Sequence, residues 1–172
     1  KIKELTGREY HCFDYYGDEE ADRIIIAMGS VTEIAEEAID YLRAKGERVG
    51  VIKVRLYRPF SIEMLLKAIP STVKKIAVLD RTKEQGSIGE PLYLDILRAV
   101  NEMDKVPKVY GGRYGLGSKD VFPRDIVAVY ETDGGSVNKV SIWNWSTLTR
   151  IKQFKYDDSI TAKHTEVSLN DI

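Results

Sequence analysis

From Asp22 to about Glu131, short β-branched runs alternate with longer stretches in which apolar residues recur every three or four positions. The first kind reads as strands and the second as amphipathic helices, and their alternation predicts an α/β fold: an open, mostly parallel sheet with helices on both faces. Arg23 to Met28 predicts a strand closed by Gly29-Ser30, after which Val31, Ala35, Ala38, Ile39 and Leu42 share one helical face up to about Lys45. Gly46 stops that helix. Val49 to Leu56 predicts a second strand, with Lys53 and Arg55 interposed, that breaks at Arg58-Pro59. Ser61 is placed to cap a short helix from Ile62 to Ala68, which Pro70 ends. Lys75 to Leu79 predicts the third strand, and Pro91 opens a helix whose apolar face is Tyr93, Ile96, Leu97, Val100 and Met103. A fourth strand is expected near Lys108 to Tyr110, then a last helix from Pro123 to about Glu131. Phe122 stands where Thr or Ser would cap that helix better, so its start is expected to be weak. Residues 1–21 read as an extended lead-in, 22–131 as the α/β domain, and 132–172 as a tail that is either hairpin-like or disordered.

The composition, 43% hydrophobic and 31% charged over 172 residues, is that of one globular domain with an appendage. The 26 basic residues nearly balance the 27 acidic ones, so no global field draws the chain to nucleic acid or an anionic membrane. Any basic site must be local. The most apolar run, Ile24 to Met28, is far shorter than the roughly 18 residues of a membrane span. With no amino-terminal signal pattern, a soluble compartment is expected, the cytoplasm or another reducing one.

Metal and nucleophile chemistry find little support. A single cysteine, Cys12, excludes a disulfide within the chain, a thiolate zinc site and an iron–sulfur cluster, each of which needs several sulfurs. His11 and His164 are far apart in sequence, and no metal site is expected. His11 and Cys12 as base and nucleophile are disfavoured because neighbours in an extended segment point to opposite faces. Glu33, Glu36, Glu37 and Asp40 lie toward the start of the first long helix, where solvation and the helix dipole account for them without a bound cation. No catalytic residue is assigned.

Ligands of open parallel sheets usually meet the carboxyl ends of the strands. The candidate edge here comprises Gly29, Ser30, Arg58, Arg81, Thr82, Lys83 and Arg113. Arginine recurs at three of the four strand ends, and its forked guanidinium suits phosphate or carboxylate, so a bound anion or an acidic partner is one expectation. Solvated arginines, or internal pairs with Asp80, Glu84 and Glu90, are the other. The segment Gly111 to Ser118 contains neither a P-loop lysine pattern nor a dinucleotide fingerprint, so its glycines are read as turn and packing positions.

Taken together, the strings Ala27-Met28-Gly29-Ser30, Val51 to Phe60, Ile76 to Glu84, Gly89-Glu90-Pro91-Leu92-Tyr93 and Gly111 to Lys119 closely resemble core domain II of pyruvate:ferredoxin (flavodoxin) oxidoreductase. The resemblance runs from about Tyr10 to Glu131. It implies a transketolase carboxyl-terminal-like domain inside a large, usually dimeric enzyme. That parent decarboxylates pyruvate on thiamine diphosphate with magnesium, passes electrons through iron–sulfur clusters to ferredoxin or flavodoxin, and forms acetyl-CoA. It further implies that this domain assembles the core against the other domains and the dimer mate, while those domains hold the cofactors. By itself the chain is expected to bind none of them and to be inactive.

After about Thr132 the resemblance ends. Val137 to Phe154, with Trp143-Asn144-Trp145, instead looks like strands of a WD-repeat propeller blade. One blade cannot close a propeller, and a native hairpin, a fused segment and a gene-model artefact all fit the pattern. If orphaned, Trp143, Trp145 and Phe154 would form a sticky ribbon suited to capturing a protein partner. A single-stranded nucleic-acid ribbon built with Lys139, Arg150, Lys152 and Lys155 is a further alternative, disfavoured by the charge balance.

Overall fold

The structure is a computed structural model that describes residues 2–131 and the backbone of 143–144 and 149–150. In chain order the elements are α1 (Ile2–Thr6), β1 (Phe13–Gly17), β2 (Arg23–Met28), α2 (Val31–Ala44), β3 (Val49–Val54), α3 (Ile62–Ala68), β4 (Lys75–Asp80), α4 (Pro91–Val100), β5 (Lys108–Arg113) and α5 (Pro123–Glu131). The tail contributes β6 (Trp143–Asn144) and β7 (Thr149–Arg150).

Five strands form one sheet in the order β1-β3-β2-β4-β5. The last four are parallel and β1 is antiparallel to β3, so the sheet is mostly parallel, as the alternating pattern predicts. Successive strand residues point to opposite faces, and each face is apolar because each is covered by helices. Ile24, Ile26, Ile52, Ile76 and Val78 pack under α3 and α4 with Leu65, Leu92 and Ile96. Ile25, Ala27, Val49, Val51 and Leu79 pack under α2 and α5 with Ala35, Ile39, Ile126 and Tyr130. Each buried isoleucine contributes roughly 1.5–3 kcal/mol of transfer free energy, so these two layers dominate the stability of the domain.

The lead-in departs from expectation. Residues 2–6 are helical, and Phe13 to Gly17 join the sheet as its edge strand. Asp14 and the closing Gly17 blur the period-two signal, and an antiparallel strand lies outside a β-α-β alternation. Tertiary contacts supply what local preference lacks. Arg55 Nε donates to Asp14 Oδ2 at 3.1 Å, and the Phe13 ring meets Phe60 edge-on at 5.5 Å. Gly17 faces Gly50 across the ladder with φ of +141°. A β-carbon at Gly17 would lie 2.4 Å from Gly50 Cα, so only glycine allows the two backbones to approach this closely.

Because β1 covers it, β3 is buried along its whole length, Lys53 included. Lys53 pairs with Glu36, and Tyr16 Oη donates to Asp40 Oδ1 at 2.7 Å. Two carboxylates of α2 assigned to solvation and the dipole thus tie that helix to the sheet. Burial pushes the Lys53 ammonium below its ordinary value. The start of α5 is also held in a way the sequence did not suggest: Asp125 Oδ2 accepts from the Phe122 N–H at 2.8 Å while the Asp125 N–H donates to the Phe122 carbonyl at 2.9 Å. This reciprocal arrangement does the work of the missing Ser or Thr.

In the tail, β6 and β7 pair antiparallel, with Trp143 opposite Arg150 and Asn144 opposite Thr149. The expectations placed on Trp145, Phe154, Lys139, Lys152, Lys155 and His164 lie outside the described residues.

Candidate functional site

The carboxyl ends of the parallel strands carry the candidate edge, and the topology divides it. From β2 the chain runs through α2 on one face to β3, whereas from β4 it runs through α4 on the opposite face to β5. The direction of winding therefore reverses between β2 and β4, which places a crevice beyond their carboxyl ends. Gly29 and Ser30 border it from β2, and Arg81, Thr82 and Lys83 from β4. Tyr114 crosses it from the end of β5, with its hydroxyl donating to the Met28 carbonyl at 3.3 Å and its N–H to the Asp80 carbonyl at 3.1 Å.

The three edge arginines do not converge. Asp80 and Arg81 are adjacent, and the strand pleat sends them to opposite faces. Asp80 turns inward, where its two oxygens accept from the Leu92 and Tyr93 N–H groups at 3.1 Å each. It thereby caps α4 from a neighbouring strand, satisfying two of the donors that a helix start leaves open. Burial pushes the Asp80 carboxyl above its ordinary value. The two amide bonds pull it back in part, and the nearby Glu90 and Asp95 charges add to the rise.

Glu90, the residue before α4, is only 1% exposed. Its carboxylate accepts from Arg113 Nε at 2.6 Å and from the Glu84 N–H at 2.7 Å. Arg113 is thus committed to a buried carboxylate, one of the internal partners the sequence offered it. Arg58 is engaged as well: its Nη2 donates to Asp95 Oδ2 at 2.7 Å, and its guanidinium lies 3.8 Å from the centre of the Tyr57 ring. Tyr57 donates to the same Asp95 oxygen at 2.7 Å, and burial together with that bond raises its phenol to about 12.

Arg81 differs from both. It is exposed, and its Nε donates to the Gly115 carbonyl at 3.2 Å. Gly115 is left-handed, with φ of +58°, and a β-carbon there would meet Arg81 Nε at 3.1 Å, so the absent side chain leaves room for the guanidinium stem. Lys83 is exposed and makes no ion pair among the described residues, Thr82 is half-buried beside it, and the Ser30 hydroxyl makes no cap bond to α2. The edge therefore consists of two arginines held by carboxylates on the α4 side and an open basic pair, Arg81 and Lys83, at the crevice. Sequence reading offered Asp80 as an arginine partner and missed it as the cap of α4, and it missed Asp95 and Tyr114 altogether. An acid ending an apolar strand just before a proline-started helix was the available signal for the first.

Comparison with known proteins settles the kinship. The family model of pyruvate:ferredoxin oxidoreductase core domain II matches residues 21–126. The chain belongs to that family. It is 56% identical over 131 residues to the pyruvate-flavodoxin oxidoreductase of Enterobacter agglomerans, covering 76% of this chain and 11% of that protein. The pyruvate:ferredoxin oxidoreductase of Moorella thermoacetica shows the same identity and coverage. The chain thus spans about a tenth of the length of these relatives. Among solved structures, the 2-oxoglutarate:ferredoxin oxidoreductase of Magnetococcus marinus, determined with 2-oxoglutarate, coenzyme A and succinyl-CoA bound, is similar at 27% identity and a TM-score of 0.50. The match covers 71% of this chain and 19% of that one. An inactive split-gene transketolase tetramer shares the fold, with 20% identity and a TM-score of 0.50 over 80% of this chain and 42% of its own. Residues 120–165 match a second, shorter model, that of an N-terminal beta-propeller domain. That match is in keeping with a propeller-like tail and does not identify a WD repeat.

Among the described residues the donor set does not suit the metals and clusters that the resemblance associates with the parent enzyme. An iron–sulfur cluster needs several thiolates, and Cys12 is the sole cysteine. Among the described residues no three His, Cys, Asp or Glu side chains are grouped to hold a metal ion, and Asp80 and Glu90 are spent on α4 and Arg113. None of the described helices is long and apolar enough to cross a membrane.

Proposed function

We propose that this chain serves a pyruvate:ferredoxin (flavodoxin) oxidoreductase as a non-catalytic assembly domain, docking against the cofactor-binding domains and the dimer mate in a soluble compartment. The parent enzyme converts pyruvate and coenzyme A to acetyl-CoA and delivers electrons to ferredoxin or flavodoxin. The observation that carries the reading is the use of the acids at this edge: buried Asp80 and Glu90 and half-buried Asp95 hold α4, Arg113 and Arg58 in place. A carboxylate tied up in this way is poorly placed to move a substrate proton. The boundaries proposed are a domain through residue 131 and an appended tail at 132–172. The test supplies the isolated chain with pyruvate, coenzyme A, thiamine diphosphate, magnesium and a viologen acceptor. No viologen reduction above the protein-free control is expected, and pyruvate-dependent reduction would overturn the reading.

A second reading is favoured by one feature of the edge. Arg81, unlike Arg58 and Arg113, has no carboxylate partner among the described residues, and it stands with Lys83 at the crevice between β2 and β4. An anion such as the phosphate end of coenzyme A suits that position. Titration of the chain with coenzyme A should then raise its melting temperature in a salt-sensitive way, and Arg81→Ala should abolish the rise. An equal response from the variant would remove Arg81 from the site.

A further inference from the structure

The amino ends of the parallel strands differ in how their charges are met. At the starts of β2 and β3 the cations have acids beside them: Arg23 pairs with Glu47, and Arg48 lies 3.7 Å from Glu20 and 4.0 Å from Asp22. At the starts of β4 and β5 the cations are lysines. The Lys108 N–H donates to the Lys74 carbonyl at 2.9 Å, which brings the two segments together, and Lys75 stands opposite Lys108 in the ladder. Lys105 lies just upstream on the turn into β5. Lys74, Lys105 and Lys108 are exposed and make no ion pair among the described residues; Glu102 is taken by Arg98 at 3.0 Å, and Asp104 pairs with none of the three.

A chain of formal charge −1 thus gathers unneutralised positive charge in one place, where like charges repel. Lys108 by itself could serve as the charge that guards an edge strand against pairing. Lys74 and Lys105 precede their strands and guard no edge. The same stretch also exposes apolar side chains: Val106, between Lys105 and Lys108 in sequence, is 54% exposed, and Tyr110 is 38% exposed. Tyr110 follows Lys108 by two positions along β5, so both side chains leave the same face of the sheet. Apolar groups flanked by charge of one sign have the make-up of an interface core and its rim, and the complement of such a rim is acidic.

We propose that this surface receives an acidic peptide segment of a partner domain, whose carboxylates pair with Lys74, Lys105 and Lys108 while its apolar side chains cover Val106 and Tyr110. The proposal rests on the assembly reading and names where one such docking takes place. A synthetic glutamate-rich peptide interrupted by leucines, titrated into the isotope-labelled full chain, tests it through amide chemical shifts. Shifts are expected at Lys74, Lys105, Val106, Lys108 and Tyr110, with binding that weakens as salt rises. Replacing the three lysines together by glutamine should weaken it about tenfold, and Val106→Ser alone about twofold, with melting temperatures unchanged. The proposal is overturned by silent amides at these positions, by shifts centred on Arg81 and Lys83, or by equal binding of a peptide with glutamine in place of glutamate. Tighter binding of a single-stranded oligonucleotide of equal charge also overturns it, in favour of nucleic acid. The two readings fail separately: pyruvate-dependent viologen reduction strikes the assembly reading whatever the peptide does, and an inert peptide strikes this surface whatever the viologen assay shows.

Discussion

Glu90→Ala isolates the buried pair that anchors the carboxyl edge. Glu90 is 1% exposed and Arg113 16%, so the substitution leaves a largely desolvated guanidinium without the carboxylate 2.6 Å away, and also removes the acceptor of the Glu84 N–H. Breaking a buried pair by deleting one partner costs about 3–5 kcal/mol. At 16% exposure Arg113 keeps part of its hydration, which points to the lower end, about 3 kcal/mol. At a urea m-value of about 2 kcal/mol per molar, the unfolding midpoint should fall by about 1.5 M. The double variant Glu90→Leu with Arg113→Met should recover most of that loss, because it removes both charges and keeps the volume. Urea unfolding followed by far-ultraviolet circular dichroism measures both. A loss below about 1 kcal/mol for Glu90→Ala, the range of exposed pairs, would refute the claim that this pair holds the edge.

Gly17→Ala should destabilise the chain by more than about 2 kcal/mol, because the methyl group meets Gly50 backbone and the backbone sits at positive φ. Gly50→Ala meets the Tyr15 side chain instead, so pairing it with Tyr15→Ala should recover part of its loss, whereas the same partner should not rescue Gly17→Ala; urea unfolding of the four variants distinguishes the two cases. Asp80 supplies a pH signature. Its carboxyl is raised in the folded chain, so its contribution to stability is fully present below the ordinary carboxylate pKa and is lost as pH rises through the folded value. Asp80→Asn should remove this component, making the stability difference between variant and parent shift in favour of the variant as pH rises above the ordinary carboxylate range, read from melting temperatures as a function of pH.

Much of the fold was legible along the chain because it rests on local signals. Apolar periodicity and punctuation by Gly46, Ser61, Pro70 and Pro91 located α2, α3 and α4 and the strands between them, and the alternation itself implied a parallel sheet between two helical layers. The family, too, was readable, since its strings lie at the strand ends in order. β1 was not legible: Phe13 to Gly17 owe their extended conformation to β3, and the Gly17–Gly50 approach exists only once the two segments are side by side. The candidate edge shows the same division. Sequence placed Arg58, Arg81 and Arg113 at strand ends, where one charge looks like another. Only the tertiary structure decided that Asp95 and Glu90 hold two of them and leave the third facing the crevice, because a side chain's partner is set by which face of the pleat it leaves and by what the helices bring to that face.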